Sequence, residues 1–340
     1  MPRYSLALVL CAVGLAGCDQ VTELLEKGAE MAGDASNAAA GMTEDDKLGM
    51  KLDGYIGCIN GASGSVLDSA DRYASWVDIE AGVTGKEKNV YGLYDHELDQ
   101  SCLDGINNSN NADPDDPALE EAASTWMAAY QAIQPKIHEA YEYYDHDDYK
   151  DDQFAKGKEM HEGLASGFAA FQTADQAFRK VVSDANDGLQ ERRLAQLEKE
   201  MGRKLQFQNA NVMAKAKHLM EIGDVHGLEN LDLAEFEKVL EAYDKAVTEA
   251  DDYMKANKAE ADSVMMFDSF IDSAEDYLKA AKELKRRKRD NKPYSDFEQR
   301  QLGGSSAWMV EGSVGKMSRA YNDLVGRSNR LSWSGYKPNG

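Results

Sequence analysis

Proline is scarce, with six in 340 residues and none from Lys136 to Lys292. A proline inside a helix removes a hydrogen bond and clashes with the preceding turn, so that stretch is open to long helices. Alternating β-branched runs are missing too, which argues against sheets. No segment holds eighteen consecutive apolar residues, so none reads as a permanent membrane span. Bases are few beside acids: 38 Lys and Arg against 61 Asp and Glu, a formal net charge of −23. Nucleic-acid binders are basic, so no nucleic-acid partner is expected. Broad adhesion to anionic lipid is disfavoured on the same ground. There are four cysteines, with no C-x2-C pair and no histidine at ligand spacing, so zinc is poorly supported. P-loop, dinucleotide fingerprint, nucleophile elbow and Ser-His-Asp order are all missing. Nothing in the chain calls for a cofactor.

What is present begins with an export signal. Arg3 supplies the positive tip, and Leu6 to Leu15 is apolar but too short to stay in a bilayer. The segment closes as Leu15-Ala16-Gly17-Cys18, which resembles a lipobox. Cleavage is expected before Cys18, with the cysteine acylated; stable anchoring needs more than one chain, and a di- or triacylated cysteine supplies that. An ordinary signal peptide is the alternative. Asp19 resembles the retention signal that holds enterobacterial lipoproteins at the inner membrane. The expected address is therefore the periplasmic face of the cell envelope, with the bilayer as a partner through Cys18. Residues 1–17 would be the signal, 18–43 the acylated start and a tether of small polar residues, 44–333 the helical body and 334–340 a disordered tail. Loss of residues 1–17 deletes Arg3 and no acid, leaving 37 bases against 61 acids and a net charge of −24.

Cys11 leaves with the signal and Cys18 carries lipid. Cys58 and Cys102 remain, and an even remainder in an oxidising compartment reads as one disulfide. Two free buried thiols are the alternative.

The fold class expected is all-α: an elongated antiparallel bundle of five to seven long helices. From Phe154, one heptad position holds Phe154, His161, Phe168 and Val182, and the other holds Gly157, Leu164, Phe171, Phe178 and Ala185. Asp175 is the single violation of an apolar stripe about nine turns long. Helix starts are legible at Asp232, with Glu235 three residues on and Leu231 and Phe236 as a staple, and at Ser295 with Glu298. Asp116-Pro117 offers a third. Breaks are expected near 81–89, 107–115, 145–148, 223–230 and 291–295.

Four stretches, "DGYIGCIN" (53–60), "VYGLYDHELDQSC" (90–102), "YKDDQFAKGKEMH" (149–161) and "PYSDFEQRQLGGSSAWMVE" (293–311), resemble the YiiG-like bacterial lipoproteins. The resemblance covers nearly all of 45–330. It implies an all-α periplasmic lipoprotein and a Cys58–Cys102 pair, and it carries over no catalytic residue.

Chemistry-bearing signals are thin. The acids of 145–152 lack the central glycine and distal glutamate of a calcium loop and suit helix starts better. His226 and Glu229 form an H-x-x-E that reads as a chance turn pairing. The basic run 285–289 suits a helix end. Tyr149, Asp151, Asp152, Tyr294, Trp308 and Glu311 are the candidate binding residues, with His161 on the apolar stripe beside them. Three functions follow: a non-catalytic lipoprotein that binds an envelope protein, a binding module for a small solute or glycan fragment, and a metal-dependent hydrolase. The first is expected.

Overall fold

The computed structural model describes residues 42–223, 228–302 and 306–336. The signal, Cys18, the tether up to residue 41, His226 and the side chain of Glu229 lie outside the described residues. Every regular element described is helical, and one disulfide joins Cys58 to Cys102. Ten α-helices are described: α1 (Glu44–Ala74), α2 (Gln100–Asn110), α3 (Pro117–Asp145), α4 (Ala155–Met201), α5 (Leu205–Gly223), α6 (Leu233–Ala256), α7 (Lys258–Ala261), α8 (Phe267–Arg289), α9 (Asp296–Leu302) and α10 (Val314–Ser328). Seven of these span 15 residues or more. The chain divides into two compact units, the first ending at Leu189 and the second beginning at Gln190.

In the first unit, α4 runs antiparallel to both α1 and α3. Along α1, Tyr73 meets His161 and Ser63 meets Asp175. Along α3, Trp126 meets Asp175 and Lys136 meets Gly163. The apolar stripe of α4 is buried as its spacing predicts, with Leu164, Phe171, Phe178 and Val182 at most 1% exposed. They pack on Tyr55, Ile59 and Val66 of α1 and on Trp126, Tyr130 and Ile133 of α3, all equally buried. Each such side chain contributes about 1.5–3 kcal/mol by leaving water.

The violation at Asp175 resolves into a buried network. Its carboxylate accepts from Ser63 Oγ, from Trp126 Nε1 (2.9 Å) and from Arg179 Nε (2.7 Å), while Arg179 also donates to the Ile59 carbonyl (3.2 Å). A buried charge persists only when paired and hydrogen-bonded, and this one is both.

The second unit contains an up-and-down four-helix bundle. α5 and α6 are antiparallel, since Arg203 pairs with Glu249 while Gly223 lies against Phe236. Tyr243 donates to the Ala274 carbonyl (2.9 Å) and Lys285 pairs with Glu237, so α8 runs against α6. Lys316 pairs with Glu283 (2.7 Å) and Tyr321 packs on Tyr277, which turns α10 against α8. Asn209 bonds Ser328 and Gly223 lies against Met317, closing α10 back onto α5.

The three expected helix starts are all capped, and the reciprocal box forms at Ser295. Asp116 accepts from Ala118 N and Leu119 N, and Asp232 from Ala234 N and Glu235 N. Ser295 and Glu298 exchange their bonds reciprocally. α4 is longer than the nine turns expected, because Asn186 and Leu189 continue its buried face and the helix formers that follow carry it to Met201. The break between α4 and α5 was not expected. A single glycine makes it: Gly202 takes φ +73°, the left-handed turn that ends a helix.

Candidate functional site

The sequence candidates fall into both units and are taken unit by unit. In the first, the turn Asp148–Lys150 and the start of α4 organise the acids. Asp152 accepts from Tyr143 OH (2.7 Å) and from Lys156 N (2.9 Å), so it tethers the first turn of α4. The Lys156 N–H holds the Asp152 carboxyl below the usual carboxylate range, Tyr143 adding to it. Asp147 pairs with Lys150. Tyr149 packs on Phe154 with the rings tilted by 44°, centroids 4.9 Å apart. Asp151 is exposed. Among the described residues no three His, Cys, Asp or Glu side chains converge as a metal site.

His161 has both ring nitrogens engaged. Nε2 lies 3.2 Å from the Ile79 carbonyl, which can only accept, so that nitrogen carries a proton. Nδ1 lies 2.9 Å from Tyr73 OH. Gly82, at φ +76°, lets the chain pass so close that a Cβ there would come within 3.0 Å of the imidazole. His161 thus clamps the segment that follows α1.

That segment, Ser75–Asp99, joins α1 to α2 without regular structure of its own. Structureless connections beyond about 12–15 residues are uncommon in compact domains and usually functional. This one is tied down through its carbonyls. Ser69 Oγ donates to Tyr94 O (2.8 Å), Arg72 Nε to Tyr91 O (2.8 Å) and Trp76 Nε1 to Gly92 O (3.0 Å). From α3, Gln134 Nε2 donates to His96 O (2.8 Å). Backbone acceptors need partners, and here side chains of α1, α3 and α4 supply them.

The fixed loop builds a groove. Asp68, Asp71 and Arg72, on the last two turns of α1, line it with Tyr91, Tyr94, Asp95 and His96 of the loop. Its volume is about 800 Å³, within the usual range of ligand sites. Tyr91 and Tyr94 are 49% and 51% exposed. The Arg72 guanidinium sits 4.4 Å above the Tyr94 ring and donates to Tyr94 OH (3.1 Å). Asp95 bonds His138 Nδ1 at 3.0 Å, and that bond raises the His138 pKa. The His96 ring stacks on Tyr130 at 10°, and burial lowers its pKa. Neither of its ring nitrogens has a protein partner. These groups can hold a polar ligand against two aromatic faces. The sequence reading missed them, although all four loop residues stand in the stretch 90–102, where attention went to Cys102.

In the second unit, Tyr294 belongs to a lock around Arg287. The buried guanidinium donates to Pro293 O (3.2 Å) and Glu298 Oε1 (2.6 Å) and lies 4.3 Å over the Tyr294 ring, whose hydroxyl donates to Gly312 O. The Ser295 backbone N–H, then Arg287, pulls the Glu298 carboxyl down to about 2. The basic run is therefore largely engaged within the chain: Lys285 with Glu237, Arg287 with Glu298, Arg289 with Asp290. Trp308 is 46% exposed with Arg319 over its ring, Phe297 and Met309 are exposed nearby, and Glu311 is exposed.

Residues 46–330 match the family described as "Protein of unknown function (DUF3829)", and the chain belongs to it. It is 33% identical over 285 residues to "Uncharacterized protein YiiG" of Escherichia coli (strain K12), covering 83% of this chain and 78% of that one. No solved structure matches. No described helix is long and apolar enough to cross a membrane.

Proposed function

We propose that this protein is a lipoprotein of the cell envelope that acts by binding rather than by catalysis. Acylated Cys18 holds it to the bilayer, on the periplasmic face, with Asp19 favouring the inner membrane. The Cys58–Cys102 disulfide supports an oxidising compartment. The observation that carries the binding reading is the groove itself. A long loop is pinned to three helices, and the pinning leaves two tyrosine rings half exposed beside charged groups. Exposed aromatic and charged groups on a rigid scaffold mark binding surfaces.

The exposed residues Phe297, Trp308 and Met309 favour a second reading, in which a protein partner docks on apolar side chains. Photo-crosslinking in intact cells separates the two. A benzoyl-phenylalanine at position 91 is expected to give a discrete adduct, and one at position 308 none. An adduct from 308 alone would move the function to the apolar residues.

A further inference from the structure

The groove's content selects among ligand classes. Asp68 and Asp71 line the groove beside one guanidinium, Arg72, while Asp95 is taken up by His138. That cation is already engaged by Tyr91 O, Tyr94 OH and the Tyr94 ring, which disfavours an anionic ligand. The same contact shows what the walls accept: a cation lies over a tyrosine face and bonds its hydroxyl. Ring faces attract cations through their quadrupole, and more strongly when water is excluded. Tyr91, half exposed, offers a second ring beside Asp68 and Asp71. A net charge of −23 adds long-range attraction for positive ligands.

We propose that the groove binds a small organic cation, a linear chain bearing primary ammonium groups. The methylene stem lies along the Tyr91 and Tyr94 rings and the ammonium groups meet Asp68 and Asp71. Lysine-like stems bury apolar length while keeping the charged head on polar partners. The ammonium, a compact charge with three donors, suits separate carboxylates; a guanidinium prefers one carboxylate in a fork. This inference rests on the groove being the binding surface.

The test is calorimetric titration of the exported chain, purified in detergent, with three probes: spermidine, triethylene glycol as a neutral chain, and glutarate as an anion. Spermidine is expected to bind and to weaken as salt rises. Asp68→Asn and Tyr91→Ala are each expected to weaken it about tenfold or more, with thermal midpoints near that of the unaltered protein. Glu241→Gln, an exposed acid of the second unit, is expected to leave it unchanged. Equal losses at Asp68 and Glu241, or no spermidine binding, would overturn the proposal. Tyr91-dependent binding of triethylene glycol without spermidine would refute the cation and keep the groove. Silence from all probes, together with no adduct at position 91, would remove the groove reading as well.

Discussion

Asp175 shows how a residue that breaks a pattern can hold it together. It is 3% exposed and joins α1, α3 and α4 through Ser63, Trp126 and Arg179. Removing one partner of a buried ion pair leaves a charge uncompensated, at a cost of about 3–5 kcal/mol. Asp175→Ala is expected to lower unfolding stability by that amount in urea, and Asp175→Ala with Arg179→Leu to recover part of it. A null effect of the single change would mean that the network is not buried in solution. Glu298 gives a pH signature. Its folded pKa of about 2 lies below the ordinary 4.5, so its stabilisation is complete above 4.5 and is lost as pH falls toward 2. Between those values the second unit is expected to loosen in the wild type, and the Glu298→Gln variant to lack that step in near-ultraviolet circular dichroism. The Ser295 contact of Glu298 was legible in the spacing, whereas its Arg287 partner was not. Asp175 could be seen as an exception, but beyond Arg179 on its own helix its partners lie 49 and 112 positions away.

At the scale of elements, local chemistry carried furthest. Caps at Asp116, Asp232 and Ser295 need only neighbours three residues on, so spacing alone revealed them. The α4 stripe was legible for the same reason, since its period repeats within one helix. The Ser75–Asp99 loop was not, because its order comes from Arg72, Gln134 and His161, which reach it from three helices. Tyr91 and Tyr94 carry no signal of their own until that loop is placed. The disulfide ties α1 to α2 across 44 positions. In the chain-entropy view such a loop closure is worth roughly 4 kcal/mol. The Cys58→Ser, Cys102→Ser double variant is expected to lose stability of that order in guanidinium, with its helical content retained. An unchanged midpoint would show that the pair adds nothing to the fold.

For the whole molecule, composition excluded more than it identified. The shortage of proline pointed to an all-α body, and every regular element described is helical; the family match spans 46–330. Division into two units was not legible, since it falls inside the continuous helix α4, where no linker composition marks it. The proposed groove ligand and the disulfide both call for export, and Cys18 is the proposed anchor once the chain is exported. Metabolic labelling with an alkyne fatty acid tests that anchor most directly. The wild-type chain is expected to carry label and to sediment with membranes, and Cys18→Ala to lose both. Equal labelling of the Cys18→Ala chain, or an unlabelled wild type, would contradict the lipoprotein reading.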